Sequence, residues 1–287
     1  MAIKFGLEDT PALLGAGVRF VLAGVGLLAI GALLRRPLRT DWWLASILAL
    51  LPFAVSYGLV YSSERFIPSG LAAVLFGVMP IYVAVLAALL LKDEPLHPRL
   101  FGGLGLALAG LVVAFGESID LGDEERAGLG AILAVIAPLC AAAGNIAIKR
   151  RGSGLDAIVL NGWAMGLGGL LLLAGSAVIE TWADAVWSPQ AVAAIAYLAI
   201  PGSMVAFVVL TRLLGELPAV TMSYIPLIIP FGALLFGWSL YDESLTLSSV
   251  AGAALVAAGL LLAQWPGGAR RTARARAADA ADTATDA

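Results

Sequence analysis

Residues 80–110 of the chain read PIYVAVLAALLLKDEPLHPRLFGGLGLALAG, and residues 230–259 repeat the pattern as PFGALLFGWSLYDESLTLSSVAGAALVAAG. In each copy an apolar run follows a proline, a polar break contains Asp-Glu, and a second apolar run carries two glycines seven residues apart. A helix rises about 1.5 Å per residue and the hydrocarbon core of a bilayer is about 30 Å thick. Each copy therefore predicts two membrane-spanning helices joined by a short loop.

The composition of the whole chain indicates that lipid is its main solvent. Of the 287 residues, 61% are hydrophobic and 13% are charged, whereas roughly 25% are charged in ordinary soluble domains. This composition excludes a water-soluble globule. A net charge of −3 provides no basic field for nucleic acid, and a single cysteine cannot form an internal disulfide.

Apolar runs separated by short polar breaks predict nine transmembrane helices. Because backbone polar groups in lipid must be bonded internally, and no run alternates with a period of two, helices are favoured over a barrel. The short loops place the function within the helices, and residues 266–287 are predicted to be a disordered tail. The predicted spans cover residues 11–34, 42–63, 69–91, 100–116, 128–148, 157–179, 190–211, 219–240 and 248–265.

The distribution of basic residues predicts the orientation in the membrane. When successive loops are assigned to alternating faces, 13 Lys and Arg residues fall on one face and 3 on the other. Cytoplasmic loops carry the excess of Lys and Arg, so the first face is predicted to be cytoplasmic. The chain is then a multi-pass protein of the inner or plasma membrane with a cytoplasmic C-terminus.

The internal repeat extends beyond the two quoted stretches. At an offset of 145 residues, Ala2-Ile3-Lys4 falls on Ala147-Ile148-Lys149, where the second copy ends its first helix. The second copy thus has five helices and the first shows four. An odd number of spans per copy would invert one copy relative to the other, as in transporters with a midplane site between inverted repeats. At offsets of 149 or 150 the matched pairs are Pro52 and Pro201, Pro68 and Pro218, Pro80 and Pro230, Glu94 and Glu243, Leu96 and Leu245, Gly103 and Gly252, and Gly110 and Gly259.

These features resemble the EamA-type ten-helix exporters of the drug/metabolite transporter superfamily. The resemblance rests on Ala2-Ile3-Lys4 followed by Pro11 and Arg19-Phe20, on the doubled Asp-Glu before a glycine-patterned helix, and on Pro80 and Pro230. It implies an all-α integral membrane protein, a polytopic helical bundle of inverted repeats with nine visible transmembrane helices (4 + 5) of an expected ten. The first repeat would cover residues 1–116 and lack its first helix, and the second would cover residues 128–265. An internal start, a shortened chain or a natural nine-helix form would each account for the missing helix.

Charged residues inside the spans are few, and each has two interpretations. Arg19 lies about 12 Å into its helix; it could bind a substrate carboxylate, or it could cap carbonyls of a broken helix or extend its charge toward the membrane surface. No Asp or Glu occurs in the middle of a span, and the single histidine, His97, belongs to a loop. A cation exporter driven by a membrane-embedded carboxylate is therefore disfavoured. Proton coupling would need groups at span ends such as Glu64, and facilitated diffusion would need none.

Prolines inside the spans predict kinks, because each removes a backbone donor and frees a carbonyl. Such kinks could be hinges for alternating access or static bends. The predicted hinge positions are Pro52, Pro80, Pro201, Pro226 and Pro230.

Sparse polar and aromatic side chains around these prolines predict a mostly apolar cavity, suited to amino acids or aromatic metabolites. Interhelical packing or local backbone bonding is the competing interpretation for each of them. The candidates for substrate binding are Arg19, Ser56, Tyr57, Tyr61, Met79, Tyr82, Asn145, Ser203, Ser223 and Tyr224.

The predicted function is a secondary transporter that does not use ATP and exports a small organic solute. The solute class and the direction come from the resemblance. No Walker motif and no metal-ligand cluster is present in the sequence, so no cofactor and no catalytic residue is expected. A membrane enzyme and a structural or assembly protein are the competing functions. The expected partners are the solute and the lipid bilayer, without nucleic acid, and the small-residue faces would permit a homodimer.

Overall fold

The computed structural model describes residues 10–91, 98–115, 124–228 and 247–264. Within these ranges the regular secondary structure is entirely helical, which confirms the predicted class of all-α membrane bundle. The helices are α1 (Ala12–Leu33), α2 (Trp42–Ser63), α3 (Ser69–Phe76 and Met79–Leu90), α4 (Pro98–Phe115), α5 (Glu124–Arg151), α6 (Ala157–Ile179), α7 (Pro189–Glu216), α8 (Ala219–Ile228) and α9 (Leu247–Gln264).

The described helices correspond in order to the nine predicted spans. Six of them are long and apolar enough to cross a membrane, namely α1, α2, α3, α5, α6 and α7, and the described parts of α4, α8 and α9 are shorter. The protein is therefore a multi-pass membrane protein.

Helices α2 and α7, which the repeat offset pairs with one another, are both interrupted by π-helical turns. The π segments are Ala49–Ser56, which contains Pro52, and Ile200–Val205, which contains Pro201. A proline cannot donate the hydrogen bond that continues an α-helix, so the winding widens locally. The prolines thus alter the helices of both copies at matching places.

Helices α3 and α8, which the repeat offset also pairs with one another, each contain a break instead of a π-helical turn. The break in α3 lies at Gly77-Val78, two residues before Pro80, which occupies the first turn of the following segment. The break in α8 lies at Ser223-Tyr224, two residues before Pro226. Proline is well suited to the first turn of a helix, where its missing N–H has no acceptor to reach. Pro230 lies outside the described residues.

Close glycine contacts join the two copies at α1 and α6. A Cβ added at Gly17 would lie 3.1 Å from the Gly169 carbonyl oxygen, and one added at Gly24 would lie 2.8 Å from the Gly162 carbonyl oxygen. The repeat offset of 145 takes Gly17 to Gly162 and Gly24 to Gly169, so the contacts run crosswise. Crossed contacts of this kind are what a twofold axis between two inverted copies would produce.

The same crossed arrangement joins α4 and α9. A Cβ added at Gly103 would lie 2.5 Å from the Gly259 carbonyl oxygen, and one added at Gly110 would lie 2.7 Å from the Gly252 carbonyl oxygen. The offset of 149 relates Gly103 to Gly252 and Gly110 to Gly259. Both helix pairs therefore bring backbone against backbone across the boundary between the copies, which small residues allow.

Carboxylates cap the N-termini of α1 and α6, which lie at opposite ends of the α1–α6 pair. Glu180, which follows α6, accepts hydrogen bonds from the backbone N–H groups of Leu13 and Leu14 at 3.0 Å. Asp156 accepts from the N–H groups of Ile158 and Val159 in its own helix. Pro11, which precedes α1, has no capping side chain, so the cap comes from α6.

Candidate solute-binding site

A cavity of about 410 Å³ lies between helices of both copies. This volume falls within the usual range for small-molecule sites, roughly 300–1,000 Å³. Its walls are mostly apolar, as such sites usually are. The lining residues come from α2 (Pro52, Ser56, Tyr57, Val60, Ser63 and Glu64), α3 (Ala72, Ala73, Phe76 and Met79), α5 (Ala134, Ala141 and Asn145), α7 (Gly202, Ala206, Phe207 and Leu210) and α8 (Met222, Ile225 and Pro226).

One face of α2 forms a long wall of the cavity. Pro52, Ser56, Val60 and Ser63 recur at intervals of three and four residues, which places them on one helical face. The ring of Pro52 packs on α5, because a Cβ added at Gly144 would lie 2.8 Å from it. The π-helical turn around Pro52 is thus part of the cavity wall.

The cavity has few polar side chains, and most of them are neutral. Ser56, Tyr57, Ser63 and Asn145 are neutral, and the Ser63 hydroxyl donates to the Val60 carbonyl oxygen at 2.7 Å. Among the lining residues that the structure describes, Glu64 is the one carboxylate, and the same set contains no Lys, Arg or His.

Aromatic rings pack together beside the cavity. The Phe53 and Phe207 ring centroids are 4.9 Å apart, and those of Phe20 and Tyr57 are 4.7 Å apart, both in edge-to-face arrangements. Tyr57 and Phe207 also line the cavity, at a centroid separation of 6.2 Å. Mutual packing fixes these two rings, so the cavity presents rigid aromatic surfaces to a solute.

Arg19 lies behind this aromatic layer, and it is 3% exposed. Its guanidinium donates to the Ser203 Oγ at 2.9 Å, to the Tyr61 hydroxyl at 3.3 Å and to the Gly202 carbonyl oxygen at 3.4 Å. Its Cζ lies 5.2 Å from the Tyr57 ring centroid. Arg19 thus contacts the π-helical segment of α7 and the back of the cavity wall, and it is not a lining residue.

The structure brings some of the predicted binding residues to the cavity and places the others elsewhere. Ser56, Tyr57, Met79 and Asn145 line it, together with the predicted hinge residues Pro52 and Pro226. Tyr61 and Ser203 are buried partners of Arg19. The remaining residues lie away from the cavity: Tyr82 is half-buried and packs on the main core, Ser223 donates to the Val220 carbonyl oxygen at 2.6 Å, Tyr224 packs in the core around α4, and Pro80 and Pro201 lie within their helices.

Several cavity residues are not among the binding residues that the sequence predicts. Phe76, Phe207 and Met222 look like ordinary core or lipid-facing residues in an apolar span, and Gly202 has no side chain. From its position at a span end, the sequence predicts Glu64 only as a group for proton coupling. The intervals of three and four residues from Pro52 to Ser63 were the available signal, since they define the face of α2 that contains the kink.

Two ion pairs lie at the end of the bundle opposite to Glu64. Arg36, beyond α1, pairs with Asp156, and Arg151, at the end of α5, pairs with Asp41 at 2.5 Å. Desolvation raises the pKa of Asp156, but the Arg36 guanidinium and two backbone N–H groups outweigh it and hold the pKa below its usual value. The Leu44 backbone N–H, followed by Arg151, lowers the pKa of Asp41. Both carboxylates are therefore ionised near neutral pH.

The chain is similar to curated transporters over most of its length. It is 29% identical to YoaV of Bacillus subtilis, named as an uncharacterized transporter, over 91% of this chain and 90% of that protein. It is 31% identical to YedA of Escherichia coli, named as an uncharacterized inner membrane transporter, over 85% and 78%. A Chlamydia trachomatis protein named as an S-adenosylmethionine/S-adenosylhomocysteine transporter is 28% identical over 84% and 77%.

A solved crystal structure has the same fold. It superposes with a TM-score of 0.78 at 19% sequence identity, covering 94% of this chain and 92% of the other. Residues 1–116 and 128–265 match the model of the EamA-like transporter family. With a bundle of apolar helices and a cavity between them, the chain belongs to the EamA-like transporter family and is a membrane transporter of the drug/metabolite type.

Proposed function

We propose that the protein is a secondary transporter that exports amino acids or other small organic metabolites without hydrolysing ATP. The observation that carries this proposal is the cavity, because α2 and α3 of the first copy and α5, α7 and α8 of the second all contribute to its wall. A solute bound there would contact both copies, as in transporters with inverted repeats. The name of the Chlamydia trachomatis relative supports a small organic metabolite as the solute class.

Alternating access would use the interrupted helices. The π-helical segments at Pro52 and Pro201 and the breaks at Gly77-Val78 and Ser223-Tyr224 all lie in α2, α3, α7 and α8. The α1–α6 and α4–α9 pairs pack backbone against backbone at glycines, closely enough that an added Cβ would collide with the facing helix. We infer that these two pairs stay together while the interrupted helices change the side from which the cavity is open.

The proposed location is the inner or plasma membrane, with the C-terminus in the cytoplasm. The excess of basic residues on one face supports this orientation. In the structure, Arg36 and Arg151 lie at one end of the bundle, and Arg65 lies near Glu180 at the other end. A homodimer is compatible with this arrangement, and so is a monomer.

Counterflow in proteoliposomes tests the proposal. Vesicles that contain the purified protein and unlabelled amino acids should accumulate labelled amino acid, whereas protein-free vesicles should not. Ala206→Trp would place a large ring in the cavity, and Ala193→Trp would place it on an exposed position of the same helix. Counterflow should fall at least tenfold in the first variant and stay near wild type in the second. Absence of counterflow for a panel of amino acids and nucleoside-bearing metabolites would contradict the proposal.

Counterflow that is lost in Ala206→Trp would also exclude a membrane enzyme and a structural protein. Neither function predicts exchange of labelled for unlabelled solute across the vesicle membrane. Chemical conversion of the trapped solute, detected by mass spectrometry, would favour an enzyme. Equal counterflow in the two tryptophan variants would show that the solute does not pass through the cavity.

A further inference from the structure

Asn145 is a buried polar residue of the cavity wall whose side-chain amide has no partner among the described residues. It lies on α5 and is 7% exposed. Within the described ranges, every side-chain nitrogen or oxygen that is sealed off from open space has a hydrogen-bond partner. The Asn145 amide has none, so it faces open space, and the cavity is the open space that this residue lines.

A second buried asparagine shows the usual arrangement. Asn161 of α6 is 1% exposed, and its Nδ2 donates to the Ala157 carbonyl oxygen and to the Thr211 Oγ1, both at 2.8 Å. An amide that is removed from water without a partner is costly, so buried amides are almost always bonded. The open amide of Asn145 therefore indicates a hydrogen-bond partner that enters the cavity.

Asn145 lies at the end of the cavity away from Glu64. Its neighbour Gly144 packs on the ring of Pro52, since a Cβ added at Gly144 would lie 2.8 Å from that ring. Pro52 precedes Glu64 by twelve residues, which is about 18 Å along the α2 axis. The described lining residues other than Glu64 are uncharged. A solute group at Asn145 is thus recognised by hydrogen bonding, and a contact with Glu64 is not required.

Two aromatic rings lie along the same part of the wall. Tyr57 follows Pro52 by five residues, and Phe207 comes from α7, with the two ring centroids 6.2 Å apart. Phe207 also packs edge-to-face on Phe53, at a centroid separation of 4.9 Å. Rings that are held in place by their neighbours offer rigid faces and edges to another ring. This end of the cavity is therefore suited to a flat ring with a polar edge.

The asparagine amide selects a complementary pair of groups on the solute. It carries a carbonyl oxygen that accepts and, beside it, an NH₂ group that donates. Its complement is a donor next to an acceptor, as on the edge of adenine, where asparagine bonds the exocyclic amino group and the neighbouring ring nitrogen. A carboxylate only accepts and an ammonium group only donates, so each satisfies half of the amide.

We propose that the cavity binds a neutral planar heterocycle of the nucleobase class, with a donor–acceptor edge on the Asn145 amide and the ring against Tyr57 and Phe207. The proposal deepens the proposed function, since it rests on the cavity being the solute site. It names aminopurines and heterocycles with an equivalent edge as the substrate class. Within the proposed range of solutes, metabolites that carry such a ring bind more tightly than amino acids.

Binding to the purified full chain in detergent tests the proposal. Isothermal titration calorimetry would compare 9-methyladenine with 6,9-dimethylpurine, which has the same shape and ring nitrogens but a methyl group in place of the amino group. The 9-methyl group removes the N9–H donor from both probes. The adenine should bind about tenfold more tightly, because only it can satisfy both halves of the amide. Equal affinity, or no binding of 9-methyladenine, would overturn the proposal.

Asn145→Leu tests the residue, because it keeps the size of the side chain and removes the amide. Affinity for 9-methyladenine should fall to that for 6,9-dimethylpurine, and affinity for the latter should be unchanged or higher. The thermal midpoint should not fall, since no hydrogen bond to a described residue is lost. Asn145→Ala should show the same loss of preference and provides the measurement if the leucine variant misfolds. A preference that persists without the amide would overturn the proposal.

Thr211→Val is the matched control, because it removes a hydrogen bond between buried polar groups that do not line the cavity. The thermal midpoint should fall, since Asn161 loses an acceptor, and the preference for 9-methyladenine should stay near tenfold. Loss of the preference in Thr211→Val as well as in Asn145→Leu would show that it depends on packing in general, and would refute the assignment to Asn145.

The proposed function can fail separately from this inference. Counterflow of amino acids by a protein that binds neither purine would leave the transporter assignment intact and refute the nucleobase site. Binding of 9-methyladenine through Asn145, without counterflow of any solute in the panel or of this purine, would support the site and refute transport.

Discussion

Buried charged side chains connect distant parts of this bundle. Arg19 reaches 184 residues along the sequence to Ser203, and Glu180 reaches 167 residues back to Leu13. Each links an element of the first copy to one of the second. In both cases an ionic group bonds backbone or neutral groups that would otherwise be buried without sufficient partners.

Arg19 is predicted to stabilise the cavity wall rather than to hold the solute. Arg19→Gln should lower the free energy of unfolding by about 1–3 kcal/mol, because the Gly202 carbonyl and the Tyr61 hydroxyl lose a charged donor. Solute affinity should change less than about threefold. Thermal unfolding in detergent and binding titrations would measure the two effects. A large loss of affinity with unchanged thermal stability would instead assign Arg19 to substrate binding.

Glu180 is predicted to be the N-terminal cap of α1. Glu180→Gln should lower the free energy of unfolding by about 1 kcal/mol, since a neutral amide accepts more weakly from the Leu13 and Leu14 N–H groups and from the helix dipole. Glu216→Gln, at an exposed helix end, is the matched control and should have little effect. Equal thermal midpoints for the two variants would show that the long-range cap contributes nothing.

The Arg36–Asp156 pair predicts a defined dependence of stability on pH. The pKa of Asp156 is lowered on folding, so its contribution is complete above the ordinary aspartate pKa and is lost as the pH falls below about 4. Asp156→Asn retains a capping side chain and loses the charge. The thermal midpoint of the wild type should exceed that of the variant by a constant amount from about pH 5 to 7, and the difference should shrink below about pH 4. A difference that grows on acidification would contradict the pairing.

At the scale of elements, glycines determine which helices can touch. Gly105 and Gly110 both lie in α4, but only Gly110 faces backbone of α9; nothing described lies within 4 Å of a Cβ added at Gly105. Alanine in place of glycine normally stabilises a helix interior by about 0.4–1 kcal/mol through the unfolded state. Where the added methyl group would collide with the neighbouring helix, the same substitution lowers the free energy of unfolding instead of raising it.

The two positions therefore predict opposite effects of the same substitution. Gly105→Ala should leave the thermal midpoint unchanged or raise it slightly, and Gly110→Ala should lower it, by about 1–3 kcal/mol in free energy of unfolding. Thermal unfolding of both variants in the same detergent measures the difference. If both variants were equally stable, the close approach of α4 to α9 would be wrong.

At the scale of the whole molecule, the inverted arrangement can be tested without a structure. Asp93 and Asp242 are mates at the repeat offset and should lie on opposite sides of the membrane if the copies are inverted. In a Cys140→Ala background, Asp93→Cys should be protected in intact cells from a thiol reagent that does not cross the membrane, and Asp242→Cys should be labelled. Labelling of both from one side would refute the inversion.

The sequence predicted the helical class and the glycine mates, and it predicted the cavity only in part. Hydrophobicity sets the number of spans, and a repeat offset identifies Gly103 with Gly252 without knowledge of the packing. The direction in which Ser223 or Tyr224 points depends on which neighbouring helix is nearby, and no local pattern encodes that. The sequence does not predict Glu64 as a cavity residue, because it lies near the end of a span and the position of the cavity depends on how the helices pack.

The crossed glycine contacts also restrict how the two duplicated segments can diverge. Gly103 faces Gly259 and Gly110 faces Gly252, so a larger residue in one segment would collide with the main chain of the other. Neither segment can therefore acquire larger residues at these positions independently of the other. Hybrids that combine one segment with the counterpart from a distant homologue should assemble only where the counterpart is equally small at the facing sites.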